Sequence, residues 1–412
     1  MKITERMRGL TAFLLALVAS IASAQAQDLA ALRAGRDLLI EAADFNAALG
    51  PAEQLVALTQ DGEDSQRGTD LMRLAEVRAG LEESAVAAET YLRAIEVFNA
   101  SSNAETQLIS AYQGLGRTYL EDRRFEEALL AFNESRSLSR RETGLFSVDQ
   151  SAIIDDLTLA HLGLGATFEA HQLQSERLEN ARRRFGEDDP RVIPFHTHFG
   201  DYLDNSRLRR GARAQYETAL ELSKVSFGTN SVQTLALLRR VAEIDLVLAD
   251  NPDIADELAA ALATTDGVDP VERARTLMTL GDYALVDAAL DAAAQHYRDA
   301  WDVLDATGSV DATGAFADPQ PLTLVPPLSP VDRGARRNAW SWGDLTMSFD
   351  VSADGRASNV EVVEMAPEIE SVARDYSRRL REAHFRPRLV DGVAVGTADV
   401  RYTQNFRFYV RD

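Results

Sequence analysis

Cysteine is absent from this 412-residue chain, which excludes disulfides, thiolate nucleophiles, cysteine-bound zinc and a lipidated N-terminal cysteine. Lysine is almost absent too: Lys2 and Lys224 are the only two, so nearly every cation is an arginine. Apolar runs of the roughly 20 residues needed to cross a bilayer are missing; the N-terminal one, Leu10 to Ile21, is about a dozen residues long. Positive charge is in deficit, the formal net charge being -22. By segment the balance is about +2 up to Ala26, about -24 from Gln27 to Pro330 and about zero beyond. An acidic middle region disfavours nucleic acid and anionic lipid, because a phosphate backbone needs clustered cations. No nucleic-acid partner is expected.

What is present first is an address. Lys2, Arg6 and Arg8 precede the short apolar run, and Ala22-Ser23-Ala24-Gln25-Ala26 comes after it with small residues at alternate positions, the form of a secretory signal peptide over residues 1–26. Cleavage is expected after Ala24 or Ala26, leaving a periplasmic chain with no stable membrane span; the alternative is an uncleaved anchor.

The middle region repeats itself. Around Gly116 the chain reads Tyr112, Leu115, Gly116, Tyr119, then Ala128, Phe132 and Ser135. The equivalents of Gly116 fall at Ala75, Thr158, Gly200, Ala242 and Gly281, a period near 42 residues. A second small residue recurs at Ala87, Ala128, Ala170, Ala212 and Ala293, then an aromatic at Tyr91, Phe132, Tyr216 and Tyr297, then Ala94, Ser135, Ala219 and Ala300. Alternation of tiny and bulky positions lets paired helices approach closely where the tiny ones meet. Phe185-Gly186 with Asp189-Pro190, and Phe227-Gly228 with Asn230-Ser231, supply a helix-ending glycine and a helix-starting cap. The pattern resembles the tetratricopeptide repeat family in its kinesin light chain-like variety, which implies a mainly α fold, an α-solenoid over residues 27–305 of five or six hairpins, with a cap over about 28–60. Three departures stand out: Thr158 is large for its place, the repeat after Ala170 lacks its aromatic, and the Ala242 repeat is interrupted by Asn251-Pro252.

From 306 to 338 the periodicity stops and Gly, Pro, Asp and Thr dominate, as in a semi-rigid linker, although the apolar stretch from Pro321 to Pro330 is suited to packing on the C-terminal module. In residues 339–412, Leu345, Met347, Phe349 and Val351 alternate as a half-buried strand, and Asp354-Gly355 turns into a second strand near Asn359 to Glu364. Ile369, Val372, Ala373, Tyr376, Leu380 and Ala383 then take helical spacing, and Phe385-Arg386-Pro387 ends that helix. A closing strand sends Val400, Tyr402, Phe406, Phe408 and Val410 one way and Arg401, Thr403, Asn405, Arg407 and Tyr409 the other. This ensemble, with Val351-Ser352-Ala353-Asp354-Gly355-Arg356 and Asp391-Gly392-Val393-Ala394-Val395, resembles the TonB C-terminal domain family, implying a small α+β domain with an antiparallel sheet and one helix. The resemblance implies that Arg401, Thr403, Asn405, Arg407 and Tyr409 lie on an edge strand that recruits an extended segment, in that family from an outer-membrane transporter. An edge covered within the protein is the alternative. Full transducers of that family keep an uncleaved N-terminal helix; this chain departs there, and a solenoid stands in place of their proline-rich spacer.

Candidate catalytic constellations do not hold together. Gly114-Leu115-Gly116 and Gly163-Leu164-Gly165 lack the third glycine and preceding strand of a dinucleotide site. His196 and His198 are two apart in an expected helix and face different ways, His161 and His171 lack a carboxylate pattern, and Asp155-Asp156 and Asp188-Asp189 read as caps or solvated faces. The expectation is a protein without enzymatic activity, cofactor or metal that binds protein partners in the cell envelope. A TonB-type energy-transduction or transport accessory and a structural spacer are the alternatives. N-terminal sequencing of the mature protein is expected to read from Gln25 or Gln27; a retained Met1 in the membrane fraction overturns the export reading and favours an anchored transducer.

Overall fold

A computed structural model describes residues 27–60, 63–249, 251, 253–308, 312–324 and 340–409; the export segment 1–26 lies outside them. The chain forms two compact units, one up to Glu187 and one from Asp188.

In the first unit, helix α1 (27–41) and α2 (Phe45–Leu58) precede three hairpins: α3 (Asp64–Gly80) with α4 (Ser84–Ala100), α5 (Glu105–Glu121) with α6 (Phe125–Thr143), and α7 (Ser151–Gly163) with α8 (Thr167–Phe185). The second unit continues with α9 (Ile193–Asn205) and α10 (Arg209–Phe227), α11 (Val232–Leu248) and α12 (Ile254–Thr264), and α13 (Pro270–Val286) and α14 (Leu290–Thr307). No strand occurs among the described residues from Leu71 to Trp301.

Close approach at the small residues explains why these helices pair. A β-carbon at Gly116 would sit 2.4 Å from the Phe132 ring, and one at Gly200 or Gly281 would sit 2.5 Å from Tyr216 or Tyr297. The aromatic of the second helix therefore fills the space that the first helix leaves empty. Ala75, Ala87, Ala94, Ala128, Ser135, Ala170, Ala212, Ala219 and Ala300 are fully buried, as is nearly all of Ala293. Tyr119 is partly buried, with the Arg124 guanidinium 4.4 Å from its ring centre.

The irregular hairpins solve the same problem differently. Where an aromatic is missing, Gln174 Nε2 donates to Thr158 Oγ1 and to Asp155 Oδ1, both at 2.9 Å, so the oversized Thr158 meets a polar partner instead of a ring. In the Ala242 hairpin Leu258 takes the aromatic's place and is fully buried. Its second helix, α12, has only 11 residues against the 18 of α14, which accounts for the irregularity near Asn251.

Joints recur at the repeat period. Gly144, Gly186 and Gly228 come directly after α6, α8 and α10 at φ of 93°, 99° and 89°, a conformation that excludes ordinary side chains. Ser147, Asp189 and Ser231 then cap the next segment by accepting from the backbone N–H of Asp149, Arg191 and Thr234. At the N-terminal end a buried ion cluster joins α1 to α3: Arg36 Nη1 lies 2.7 Å from Asp70 Oδ1, and Arg33 Nη2 lies 2.8 Å from Asp70 Oδ2. Arg36 is 1% exposed and Asp70 fully buried.

The described part of residues 306–338 carries secondary structure of its own. Residues Ala312–Ala315 form a helical turn, α15, and Gln320–Pro321 a short strand, β1. Ala312, Phe316, Leu322 and Leu324 are buried, the first three in the core of the last hairpin and Leu324 in that of the sheet module. The module beyond comprises β2 (Trp340–Val351), β3 (Ala357–Ala366), α16 (Glu370–Glu382), β4 (Phe385–Arg386), β5 (Arg388–Val390), β6 (Val393–Val395) and β7 (Thr397–Tyr409). Its main sheet is antiparallel in the order β3-β2-β7, with Leu345 opposite Gln404 and Met347 opposite Tyr402. Leu345, Met347, Phe349 and Val351 share a core with Tyr376 and Leu380 of α16 and with Phe406. Gln404 interrupts the inward apolar set of β7.

Two outcomes test this packing. Gln174→Phe alone is expected to cost about 1–3 kcal/mol by overpacking against Thr158, while Gln174→Phe with Thr158→Gly restores most of that loss in a denaturant-unfolding cycle. Asp70→Ala takes the buried carboxylate from Arg36 and Arg33, leaving Arg36 only the half-exposed Asp37 at 2.9 Å, and is expected to cost about 3 kcal/mol, read from the same midpoint shift.

Candidate interaction surfaces

First helices border a cavity in each unit. In the first unit, Met72, Arg73 and Glu76 of α3 and Gln113, Arg117 and Glu121 of α5 border a cavity floored by the Tyr91 ring. Gly114 makes the floor possible, since a β-carbon there would lie 2.4 Å from that ring. Burial pushes the Tyr91 hydroxyl pKa up, keeping it neutral. Arg73 Nη1 is 2.7 Å from Glu76 Oε2, and Arg117 Nε donates to Asp156 Oδ1 at 3.0 Å, with the Arg117 side chain 54% exposed. The cavity thus has an aromatic floor between charged, accessible walls.

The second unit carries a more buried arrangement. Asp201 of α9 accepts from Tyr216 Oη at 2.6 Å and from Arg240 Nη2 of α11 at 2.9 Å. Asp282 of α13 accepts from Tyr297 Oη at 2.8 Å and from Arg386 Nε of β4 at 2.8 Å, and Arg386 Nη2 reaches its other oxygen. Burial works against the Arg386 charge, but the neighbouring Asp282 carboxylate outweighs it and raises the guanidinium pKa. Between α9, α11, α13 and the sheet module lies a cavity of about 370 Å³, bordered by Arg207, Arg209, Arg240, Glu243 and Tyr402.

The expected edge-strand residues fall on β7. Arg401, Thr403 and Asn405 are exposed on the face away from the core. Thr403 Oγ1 is 3.1 Å from Thr346 Oγ1, Asn405 Nδ2 donates to Asp344 Oδ1 at 2.6 Å, and Arg401 Nη2 is 3.8 Å from Asp399. Arg407 and Tyr409 stand opposite Trp342 and Trp340 in the β2 register. Among the described residues no strand pairs with the outer edge of β7. On the inner face, Gln404 accepts from Arg207 Nη2 at 2.7 Å. His196 is buried with Nδ1 2.8 Å from Gln215 Oε1, and no cluster able to hold a metal occurs among the described residues.

Asp282 and Gln404 are not among the residues that the sequence patterns single out, and Arg386 enters there only as part of the helix-ending Phe385-Arg386-Pro387. A signal for two of the sites is nevertheless there: Gly200-Asp201-Tyr202 and Gly281-Asp282-Tyr283 repeat one tripeptide at equivalent places, each sixteen residues from Gly to the tyrosine that binds the aspartate.

No family model matches the chain, and no curated protein matches it. Among solved structures it is similar to BtubC (BKLC) from P. vanneervenii, with a TM-score of 0.41 and 16% identity, covering 56% of this chain and 91% of that one. A tetratricopeptide repeat protein from Parabacteroides merdae gives a TM-score of 0.38 at 13% identity over 67% of this chain and 93% of that one. The quorum sensor NprR from B. thuringiensis gives 0.36 at 11% over 68% and 82%. These likenesses are distant, and the repeat architecture rests on the helices and their packing described above.

Proposed function

We propose that this protein is a non-enzymatic, exported interaction scaffold of the periplasm. The observation that carries the reading is the groove on α3 and α5, where Arg73, Glu76, Arg117 and Glu121 stand accessible around the Tyr91 floor. Such a surface binds by side-chain complementarity and holds no group arranged for bond making. In this reading an extended segment of a protein partner lies along the groove, its charges meeting both walls.

The sheet module serves as a second docking point, as the resemblance to TonB C-terminal domains implies. Support comes from β7, a 13-residue strand with one edge open among the described residues. Unpaired N–H and C=O groups along such an edge add a partner strand by main-chain hydrogen bonds. An envelope component, in that family an outer-membrane transporter, is the partner that this mode fits. Energy transduction requires a membrane anchor; the segment 1–26 that could supply one lies outside the described residues, and among those residues no helix is long and apolar enough to cross a membrane.

Photo-crosslinking amino acids placed singly at Gln113 and at Arg401 of the full-length exported chain test the two surfaces. Each position is expected to give its own discrete protein adduct in intact cells, with the Gln113 adduct lost when Arg73 and Arg117 are changed to glutamate. Absence of adducts from both positions would leave only the spacer alternative.

A further inference from the structure

We propose that Asp282 and Tyr297 form a guanidinium-binding site at the end of the helical repeats, and that the sheet module fills it in cis with Arg386, standing where a further repeat would stand. The comparison that carries this lies within the same unit. Asp201 follows the small Gly200 of its first helix, Tyr216 reaches it from the second helix, and Arg240 of the next first helix completes the group. Asp282 follows Gly281 in the same way and Tyr297 reaches it in the same way. Among the described residues after α14 no further first helix follows, and the arginine comes instead from β4.

Burial makes that arginine obligatory. The side chain of Asp282 is 5% exposed and Tyr297 is buried, whereas the side chain of Asp201 is 37% exposed. A carboxylate so enclosed, with only a phenol for company, stays charged at a large penalty unless a cation sits beside it. Arg386 supplies two donors in the planar geometry that a carboxylate accepts.

The module is shaped to deliver this side chain. Strand β1 pairs with β4, placing Gln320 opposite Arg386, and Leu322 N–H donates to His384 O at 2.9 Å. Leu389 N–H donates to Phe316 O at 3.2 Å, and the Leu389 side chain enters the Tyr297 core. Gly355 lets the module come close: a β-carbon there would lie 2.2 Å from Phe385 O and 2.9 Å from Leu285 of α13. An extended strand bearing arginine is therefore the ligand that this site takes. The groove of the last repeat is filled by the protein itself, and a partner binding there has to offer a guanidinium and displace Arg386.

The test uses the full-length chain. Arg386→Ala is expected to lower the melting midpoint by about 10 °C and to speed amide exchange at Leu322 and Leu389. Millimolar ethylguanidinium, used as the probe, is expected to return both toward wild type, while ethylammonium at the same concentration does not. A wild-type midpoint and unchanged exchange in Arg386→Ala, or equal recovery with the two cations, overturns the proposal. Should that variant not fold, Arg386→Gln with Asp282→Asn, which removes both charges, is expected to melt well above Arg386→Gln alone; equal midpoints overturn it.

Discussion

The packing of an aromatic ring against a missing β-carbon is the constraint on which the helical part of this protein depends. Phe132 over Gly116, Tyr216 over Gly200 and Tyr297 over Gly281 each bring two helices closer than ordinary side chains allow. Helices of this length gain little from propensity alone, so the stability of each hairpin rests on the apolar area that this approach buries. Everything else is arranged around it: glycine joints set where one hairpin ends, capping serines and an aspartate set where the next begins, and ion pairs such as Arg117–Asp156 join one first helix to the next.

The variation among hairpins shows that the constraint is geometric and not chemical. Thr158 with Gln174 replaces shape complementarity by hydrogen bonds, and Ala242 with Leu258 replaces a ring by a branched aliphatic chain. Both keep the helices paired. Polar substitution of this kind is tolerated because Gln174 Nε2 is satisfied by Thr158 Oγ1 and Asp155 Oδ1, and Thr158 Oγ1 donates to the Ile154 carbonyl.

Much of this was legible in the sequence because repetition multiplies a weak signal. One Gly and one aromatic sixteen residues apart mean little, but the same spacing at 116, 200 and 281, together with Ala75 and Tyr91, leaves one arrangement of helices that satisfies all of them. The strand, helix and strand order after Trp340 was legible for a similar reason, as alternation and helical spacing are local. Contacts of a single occurrence were not. Arg386 read as part of a helix-ending Phe-Arg-Pro, and nothing local says that its partner lies 104 positions earlier in the chain. Likewise Leu322 and Leu389 became part of the last repeat's core only through tertiary packing, which a proline-rich composition conceals. On the groove side, periodicity identifies first helices but not which of their polar residues point outward, so Arg73 and Arg117 emerge only from the structure.

The way Arg386 closes the last repeat also bears on how such an array can change in length. A hairpin duplicated or lost in the interior leaves Asp282, Tyr297 and their arginine untouched, so the protein can grow or shrink from within. A unit added after α14 would separate Asp282 from Arg386 and would have to bring an arginine on its own first helix, as Arg240 does for Asp201. The final hairpin and the sheet module are thereby tied into one piece, through a shared ion pair and a shared core.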